Sequence, residues 1–269
     1  MGLKPVVEAL QVQGVPQRRA CRMLEVSRST VRYQAAGPDP TDEAVRNELA
    51  RLARRHKRYG TPRLTALLRR DGLLVNHKRV ERLYREGDLT LPRKRRKRKG
   101  LVERVGRVDP STGRNDVWSY DFVHERTEYG EKLKMLVVVD EYTRECLAIR
   151  VEKRMKGSDV QATLEGLFGE RGLPARIRRD NGSEFKNKQI RKWLKEKGVS
   201  PVYTDPGCPW QNGYVESLNG KLRDECLNEE LFYSRAETQV VVNWWQKVYN
   251  EERPHMALGY RTPAQAAEH

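Results

Sequence analysis

The chain has 269 residues, of which 37% are hydrophobic, and a formal net charge of +16. It contains no run of 18 apolar residues and no apolar signal-peptide core near Met1, which argues against a membrane span or a secretory leader. The four cysteines are scattered without a CxxC pair, so we expect reduced thiols in a cytoplasm and no structural zinc.

The positive charge is concentrated in the N-terminal part of the chain. Residues 1–112 contain 28 Lys and Arg against 12 Asp and Glu, and residues 113–269 are balanced. A concentrated positive field favours a polyanionic partner, most simply nucleic acid. A basic surface that served solubility alone would be spread more evenly.

Residues 1–36 are predicted to form a helix-turn-helix module. One helix covers 17–24, and a second runs through Tyr33 from a cap at Ser27 or Ser29, with Ala20, Leu24, Val26 and Val31 inside. A helix pair that binds nothing stays an alternative. The residues expected to face a DNA groove are Arg28, Ser29, Thr30 and Arg32.

A linker at 35–40 precedes a second helical module, predicted over residues 37–91. Its leucines recur at helical spacing, as at Leu49, Leu52, Leu64 and Leu68. Its last helix, over residues 76–84, is basic on one side, which indicates either DNA contact or a solvated face. The DNA-binding candidates on this helix are Lys78, Arg79 and Arg82.

Residues 92–112 are predicted to be a basic linker. Seven consecutive cations repel one another, so the free segment is expected to be extended and to lie along a phosphate backbone. A nuclear import signal has a similar composition. The DNA-binding candidates in the linker are Arg93, Lys94, Arg95, Arg96, Lys97, Arg98 and Lys99.

From residue 115 the pattern changes to strands that alternate with helices. This order predicts an α/β ribonuclease-H-like core over residues 113–230, built on a mixed five-stranded sheet with flanking helices. Residues 231–269 are predicted to pack on it as a C-terminal helix and tail. The predicted strands are Val117–Glu125, Leu133–Val139, Cys146–Glu152, Ala175–Arg179 and Pro201–Thr204. The predicted helices are Asp159–Arg171, capped by Ser158, then Lys188–Lys197 and Tyr214–Leu227.

Three acids stand out in this core: Asp121 in the first strand, Asp180 at the end of the fourth strand and Glu216 on a helix. Mg²⁺ prefers carboxylate and water oxygens, and a pair of such ions can stabilise both oxygens of an in-line phosphoryl displacement. Three acids without His or Cys beside them suit that chemistry. The set therefore predicts a site for two divalent metals, although a single acid is more often a solvated surface group.

The sequence around these acids resembles the IS3 family of insertion-sequence transposases (OrfB products), within the DD35E superfamily of transposases and retroviral integrases. Thirty-five residues separate Asp180 from Glu216. The matching motifs are DNGSEF at 180–185, PGCPWQNGYVES at 206–217, YNEERPH at 249–255 and YGTPR at 59–63. Residues 1–112 lack the His-His-Cys-Cys zinc module of retroviral integrases, so the bacterial family is the better match.

The resemblance implies a DNA transposase that binds double-stranded DNA at terminal inverted repeats. It would free a 3′-hydroxyl and join it to target DNA, with two Mg²⁺ ions that Mn²⁺ can replace. A homo-oligomer, at least a dimer on DNA, is implied, together with an upstream OrfA partner or a frameshift fusion. The implied location is prokaryotic, cytoplasmic and nucleoid-associated. Asn212, Tyr214 and Arg223 would lie near the scissile bond.

Two other functions stay open at this point. One is a non-catalytic DNA-binding regulator from a decayed element, which would use residues 1–112 alone. The other is a ribonuclease, which would prefer an RNA–DNA hybrid to duplex DNA. Among the remaining polar residues, Asp140 is expected to cap a turn and Glu184 to lie near a helix N-terminus. Arg253 and His255 have no assigned role.

Overall fold

The computed structural model describes residues 3–34, 40–92, 109–179, 188–205 and 208–268. The chain divides into two compact units, Met1–Val45 and Arg46–His269. Within the described part of the chain, every helix is too short or too polar to cross a membrane. The bounds of the five domains expected from the sequence stay predictions.

The first unit is a small helical bundle. It contains α1 (Leu3–Val12), α2 (Gln17–Met23) and α3 (Arg28–Arg32). Val7, Ala20 and Val31 are buried between these helices, and Leu24 and Val26 pack against them. The backbone N–H of Ser29 donates to Ser27 Oγ at 3.2 Å. The predicted helix pair, its interior and the cap at Ser27 are therefore confirmed.

A further helical module follows along the chain. Its helices are α4 (Pro40–Arg55), α5 (Thr61–Arg70) and α6 (His77–Glu86). Leu49, Leu64, Leu68 and Leu83 are buried in this module, in agreement with the helical spacing of its leucines. Asn76 caps α6 because its Oδ1 accepts the Lys78 backbone N–H at 3.0 Å.

A mixed five-stranded sheet follows, as predicted. Its spatial order is β3-β2-β1-β4-β5, with β1 antiparallel to β2, β2 antiparallel to β3, and the pairs β1–β4 and β4–β5 parallel. The strands are β1 (Val117–Arg126), β2 (Lys132–Asp140), β3 (Cys146–Glu152), β4 (Arg176–Arg179) and β5 (Ser200–Tyr203).

Helices cover both faces of this sheet. They are α7 (Gly157–Arg171), α8 (Lys188–Glu196), α9 (Gly213–Leu222) and α10 (Arg235–Glu251), followed by α11 (Pro263–Ala267). Val123, Val137 and Val139 share one apolar cluster with residues of α9 and α10. Trp118, Tyr120 and Leu136 lie on the opposite face, with residues of α7 and α8. The two faces of β1 therefore contact different helices, because successive side chains of a strand point to opposite faces.

The helix predicted over residues 214–227 is confirmed, with α9 ending at Leu222 and a π-helix continuing over Arg223–Leu227. The predicted cap of α7 is wrong. The N-cap is Lys156 rather than Ser158, and the Asp159 carboxylate in the first turn accepts the Lys156 backbone N–H at 2.7 Å.

The turn after β2 has the predicted cap. Asp140 Oδ1 accepts the backbone N–H groups of Tyr142 and Thr143 at 2.8 and 3.0 Å. Its Oδ2 accepts the backbone N–H of Asn115 at 2.8 Å. Asp140 is therefore a structural residue of the turn, as expected.

Candidate active site

Asp121 lies in the middle of β1, the central strand of the sheet. It occupies the fifth position of β1 and is half-buried on the sheet face that α9 covers. Its partner residue on β2 is Val137, which belongs to the apolar cluster beneath α9. The strand therefore presents this carboxylate at the interface between sheet and helix, mid-strand as predicted.

Helix α9 is anchored to the sheet by Val215, Leu218 and Leu222, which are buried in the same cluster. With these three residues buried, the side of α9 that carries Glu216 and Asn219 faces β1. Asn219 Nδ2 donates to Asp121 Oδ2 at 3.0 Å. Glu216 precedes Asn219 by three residues, and side chains at this spacing are neighbours on a helix surface.

Glu216 is therefore one helical turn from the residue that binds Asp121. Its side chain is exposed, whereas Asn219 and Asp121 are half-buried. Two of the three predicted acids accordingly approach the same part of the sheet, one on β1 and one on α9. The sequence analysis did not single out Asn219; its position three residues after Glu216 was the available signal.

Asp180 and Glu184 lie outside the described residues. The last described residue before Asp180 is Arg179, at the end of β4, and β4 pairs in parallel with β1 through Ser119 and Arg178. Over the described ranges, which omit Asp180, no three His, Cys, Asp or Glu side chains form a group that could hold a metal. The three-acid site stays a prediction.

A buried ionic network joins β1 to β4 two residues before Asp121. Arg178 Nη1 donates to both carboxylate oxygens of Glu141, at 2.6 and 2.7 Å, and the Ser119 hydroxyl also donates to Glu141. Burial raises the pKa of Glu141, and the bonds from Ser119 and Arg178 act in the opposite direction. Removing either charge would leave the other buried and unpaired, so the network resists rearrangement.

In the first unit, the predicted groove-facing residues lie on α3 or at its end. Arg28, Ser29 and Thr30 are exposed. Arg32 is exposed as well, and its Nε donates to Gln17 Oε1 of α2 at 2.9 Å. The helix thus presents a polar and basic surface to solvent, and the DNA contacts themselves stay a prediction.

The basic side of α6 is partly neutralised by its own acids. Lys78 is exposed and Arg79 is half-buried. Arg82 forms an ion pair with Glu86 at 3.1 Å, and Arg46 of α4 reaches the same carboxylate at 3.0 Å. Exposed pairs of this kind are weak and screened by salt, so they can yield to a phosphate. The linker candidates at residues 93–99 lie outside the described residues.

The predicted contacts near the scissile bond have different surroundings. Asn212 is 3% exposed and occupies the N-cap position of α9 without a side-chain capping bond. Its Oδ1 is buried and has no hydrogen-bond partner among the described residues. Tyr214 is half-buried beneath the Arg144 guanidinium, whose central carbon lies 3.9 Å from the ring centre.

Arg223 lies beyond Asn219 along the same side of the helix. Its Nη2 donates to the His124 carbonyl at 2.8 Å, and its Nη1 lies 3.5 Å from the Glu125 carboxylate. Neighbouring positions on a helix do not face each other, so among the described residues Arg223 pairs with Glu125 of β1 rather than with Asp224 or Glu225. Its predicted contact with phosphate stays untested.

Arg253 and His255 both fold against the core. Arg253 is 2% exposed and forms a bidentate ion pair with Glu225, with N–O distances of 2.6 and 2.8 Å. Its guanidinium also lies 5.6 Å from the ring centre of Tyr59 in the helical module. His255 is 5% exposed, and burial, reinforced by nearby cations, lowers its pKa to about 2. Its imidazole is therefore neutral at ordinary pH.

The fold and this site define an integrase-core protein. Residues 111–209 and 197–263 match two integrase core domain families, and residues 40–98 match an HTH-like domain. The chain also has the fold of a chain in the simian T-cell lymphotropic virus intasome, with a TM-score of 0.51 and 16% identity. That similarity covers 82% of this chain and 74% of the other.

Two related proteins of insertion elements indicate the family of this chain. The chain is 42% identical over 257 residues to the insertion element IS407 uncharacterized 31.7 kDa protein of Burkholderia multivorans, covering 95% of this chain and 92% of that protein. It is 26% identical over 264 residues to the putative transposase InsK for insertion sequence element IS150 of Escherichia coli K12, covering 93% of each. The chain belongs to the IS3 family of insertion-sequence transposases, as its motifs indicated.

Proposed function

We propose that this chain is a DNA transposase that binds insertion-sequence ends and catalyses metal-dependent 3′-end cleavage and strand transfer. Asp121, Asp180 and Glu216 would hold two Mg²⁺ ions. The observation that carries the proposal is the hydrogen bond from Asn219 to Asp121, which joins α9 to the middle of β1. That bond brings the helix bearing Glu216 to the carboxylate of the central strand.

The donor set fits Mg²⁺. Asp121 and Glu216 supply hard carboxylate oxygens, and a half-buried acid beside an exposed one leaves room for waters and phosphate oxygens. When bound, a pair of Mg²⁺ ions, or Mn²⁺ in their place, would stabilise the attacking and leaving oxygens of the displacement. The protein residues supply position and charge, and a covalent protein–DNA intermediate is not required.

The register of the sheet supports Asp180 as the third acid. In each described pair of β1 with β4, the two residue numbers differ by 59, from Val117 with Arg176 to Ser119 with Arg178. If the same register continued for two more residues, residue 180 would pair with Asp121. Side chains on paired positions of neighbouring strands share a face.

Two further features support action on DNA ends. Arg28, Ser29 and Thr30 are exposed on a short helix of a helix-turn-helix, the element that enters a major groove in that motif. The relatives named above are proteins of insertion elements. Joining two DNA ends requires at least a dimer on DNA, and an OrfA partner or fusion would complete the assembly in the prokaryotic cytoplasm, on the nucleoid.

The test is 3′-end joining on terminal inverted-repeat DNA with Mg²⁺. The wild-type protein should join ends, and Asp180→Asn should bind the same DNA without joining it. Asp88→Asn is the matched control, because Asp88 is exposed with a φ of 52°, a conformation that asparagine adopts readily. Equal joining by wild type and Asp180→Asn would refute the three-acid mechanism.

Other outcomes of the same assay identify the alternatives. A wild-type protein that binds the ends but never joins them would be a non-catalytic regulator. Preferential cleavage of an RNA–DNA hybrid over duplex DNA would instead indicate a ribonuclease.

A further inference from the structure

A cavity of about 470 Å³ lies on the side of α9 away from β1. We call it the α9 cavity. Its volume falls within the range of small-molecule sites. The lining residues that matter here are Arg144, Tyr214, Ser217, Lys221, Tyr249 and His255.

The α9 cavity is lined by two cations, Arg144 and Lys221, and none of its described lining residues is Asp or Glu. The acids that act on these cations, Glu141 and Glu225, lie outside the lining and are themselves paired with Arg178 and Arg253. Among the described residues, neither cation forms an ion pair, and Lys221 Nζ binds only the neutral Ser217 hydroxyl, at 2.9 Å. Buried or half-buried cations are ordinarily paired, so this cavity suits an anionic ligand.

The state of Lys221 supports the same conclusion. Burial lowers the pKa of Lys221 to about 8, and Arg253, Arg63 and Arg144 lower it further, whereas Glu225 opposes them. The ammonium of Lys221 is therefore less favoured than that of a lysine in water. An anion bound beside it would supply the missing countercharge and favour the charged form.

Two buried polar atoms of the lining residues are left without partners. Arg144 Nη1 and His255 Nε2 have no hydrogen-bond partner among the described residues. His255 is 5% exposed, so bulk water does not satisfy its ring nitrogen. Buried polar groups are nearly always hydrogen-bonded, and each exception calls for a ligand, an ion or a water.

Part of the remaining lining is a planar stack. The Arg144 guanidinium lies on the Tyr214 ring at 3.9 Å, and both side chains are half-buried. Aromatic and guanidinium planes stack with nucleobases of any sequence. A nucleotide, which has both an anionic and a planar part, therefore fits this lining better than a phosphate alone.

We propose that the α9 cavity binds one nucleotide of the DNA strand, with its phosphate on Arg144 and Lys221 and its base against Tyr214. This rests on the proposed function, since DNA is the source of the nucleotide. Glu216 would act on the strand from one side of α9. Because a helix with its side chains is about 10–12 Å wide, the opposite side would hold a nucleotide further along the strand. Arg144 and Lys221 are then positioning residues for the DNA strand.

The test is calorimetric titration of the full chain with dAMP or dTMP in EDTA, where catalysis is absent. The wild-type protein should bind both nucleotides more tightly than inorganic phosphate. Arg144→Gln and Lys221→Gln should each weaken nucleotide binding about tenfold, because each loses a charge-assisted bond. Arg154→Gln is the matched control, since Arg154 is exposed after β3 and outside the cavity.

Thermal melts check that each variant is folded. If Arg144→Gln does not fold, the loss of nucleotide binding in Lys221→Gln tests the proposal instead. Asp121→Asn should bind nucleotide as wild type does and fail only in end joining. Absence of nucleotide binding by the wild-type protein would refute this proposal while leaving end joining intact. Equal weakening by Arg144→Gln and Arg154→Gln, or equal affinity for inorganic phosphate, would also refute it.

Discussion

Helix α9 has two polar stripes with different surroundings. The β1-facing stripe comprises Glu216 and Asn219 and continues at Arg223, the first residue of the π-helix. Asn219 and Arg223 bind groups of β1 directly. The cavity-facing stripe comprises Tyr214, Ser217 and Lys221, which line the α9 cavity. Three buried apolar residues, Val215, Leu218 and Leu222, hold the helix so that both stripes keep these directions.

The difference between the stripes is one of charge balance. On the β1-facing stripe, Arg223 is paired with Glu125, and Asn219 satisfies Asp121. On the cavity-facing stripe, Lys221 lacks an acid partner among the described residues. One helix therefore presents the Glu216 carboxylate on one side and the Lys221 ammonium on the other. A single apolar stripe positions both sides.

The largest expected effect is on the β1-facing stripe. Glu216→Gln should reduce strand transfer at least about a thousandfold, since a metal ligand contributes several kcal/mol to the transition state. Filter binding to terminal-repeat DNA should stay at the wild-type level. Glu230→Gln, in an exposed position beyond the helix, is the control. A parallel loss of DNA binding and catalysis would show that Glu216 is structural.

A smaller loss is expected at Asn219. Asn219→Ala removes the bond to Asp121, so end joining should fall about 10- to 100-fold and require more Mg²⁺, as for other residues that orient a metal ligand. The Mg²⁺ concentration at half-maximal joining is the measurement that separates positioning from general damage. Asn228→Ala, an exposed asparagine after the π-helix, is the control. Unchanged Mg²⁺ dependence in Asn219→Ala would disprove a positioning role.

On the cavity side, lowering the pH should destabilise the folded protein because His255 is buried in its neutral form. Burial lowers the pKa of His255 from 6.5 to about 2, so below pH 6.5 the unfolded chain binds a proton that the folded chain does not. Its contribution to the free energy of unfolding is present at pH 7 and should fall by roughly 2 kcal/mol by pH 5. Urea unfolding at both pH values measures this loss.

His255→Gln should be less sensitive over the same interval. Exposed His77 provides the matched variant, and His77→Gln should keep the full pH dependence. The prediction fails if wild type and His255→Gln lose the same stability between pH 7 and pH 5.

Much of the fold followed from local patterns. The alternation from Val117 to Glu125 predicted a strand with Asp121 at its centre, and leucine spacing predicted the N-terminal helices. These patterns succeed because a strand or helix buries one face, and burial selects residues at a period of two or near 3.6. The π-helix after Leu222 escaped prediction, because Glu225 within it pairs with Arg253, a residue distant in sequence.

The order of elements, the family and the three candidate acids could be predicted from short motifs and from the period of the apolar residues. Contacts between side chains of distant segments could not be predicted in this way. The hydrogen bond from Asn219 to Asp121 and the ion pair of Arg178 with Glu141 join such segments, and Arg144 and Lys221 line one cavity. These arrangements depend on how α9 and the strands pack against one another, which no local pattern encodes.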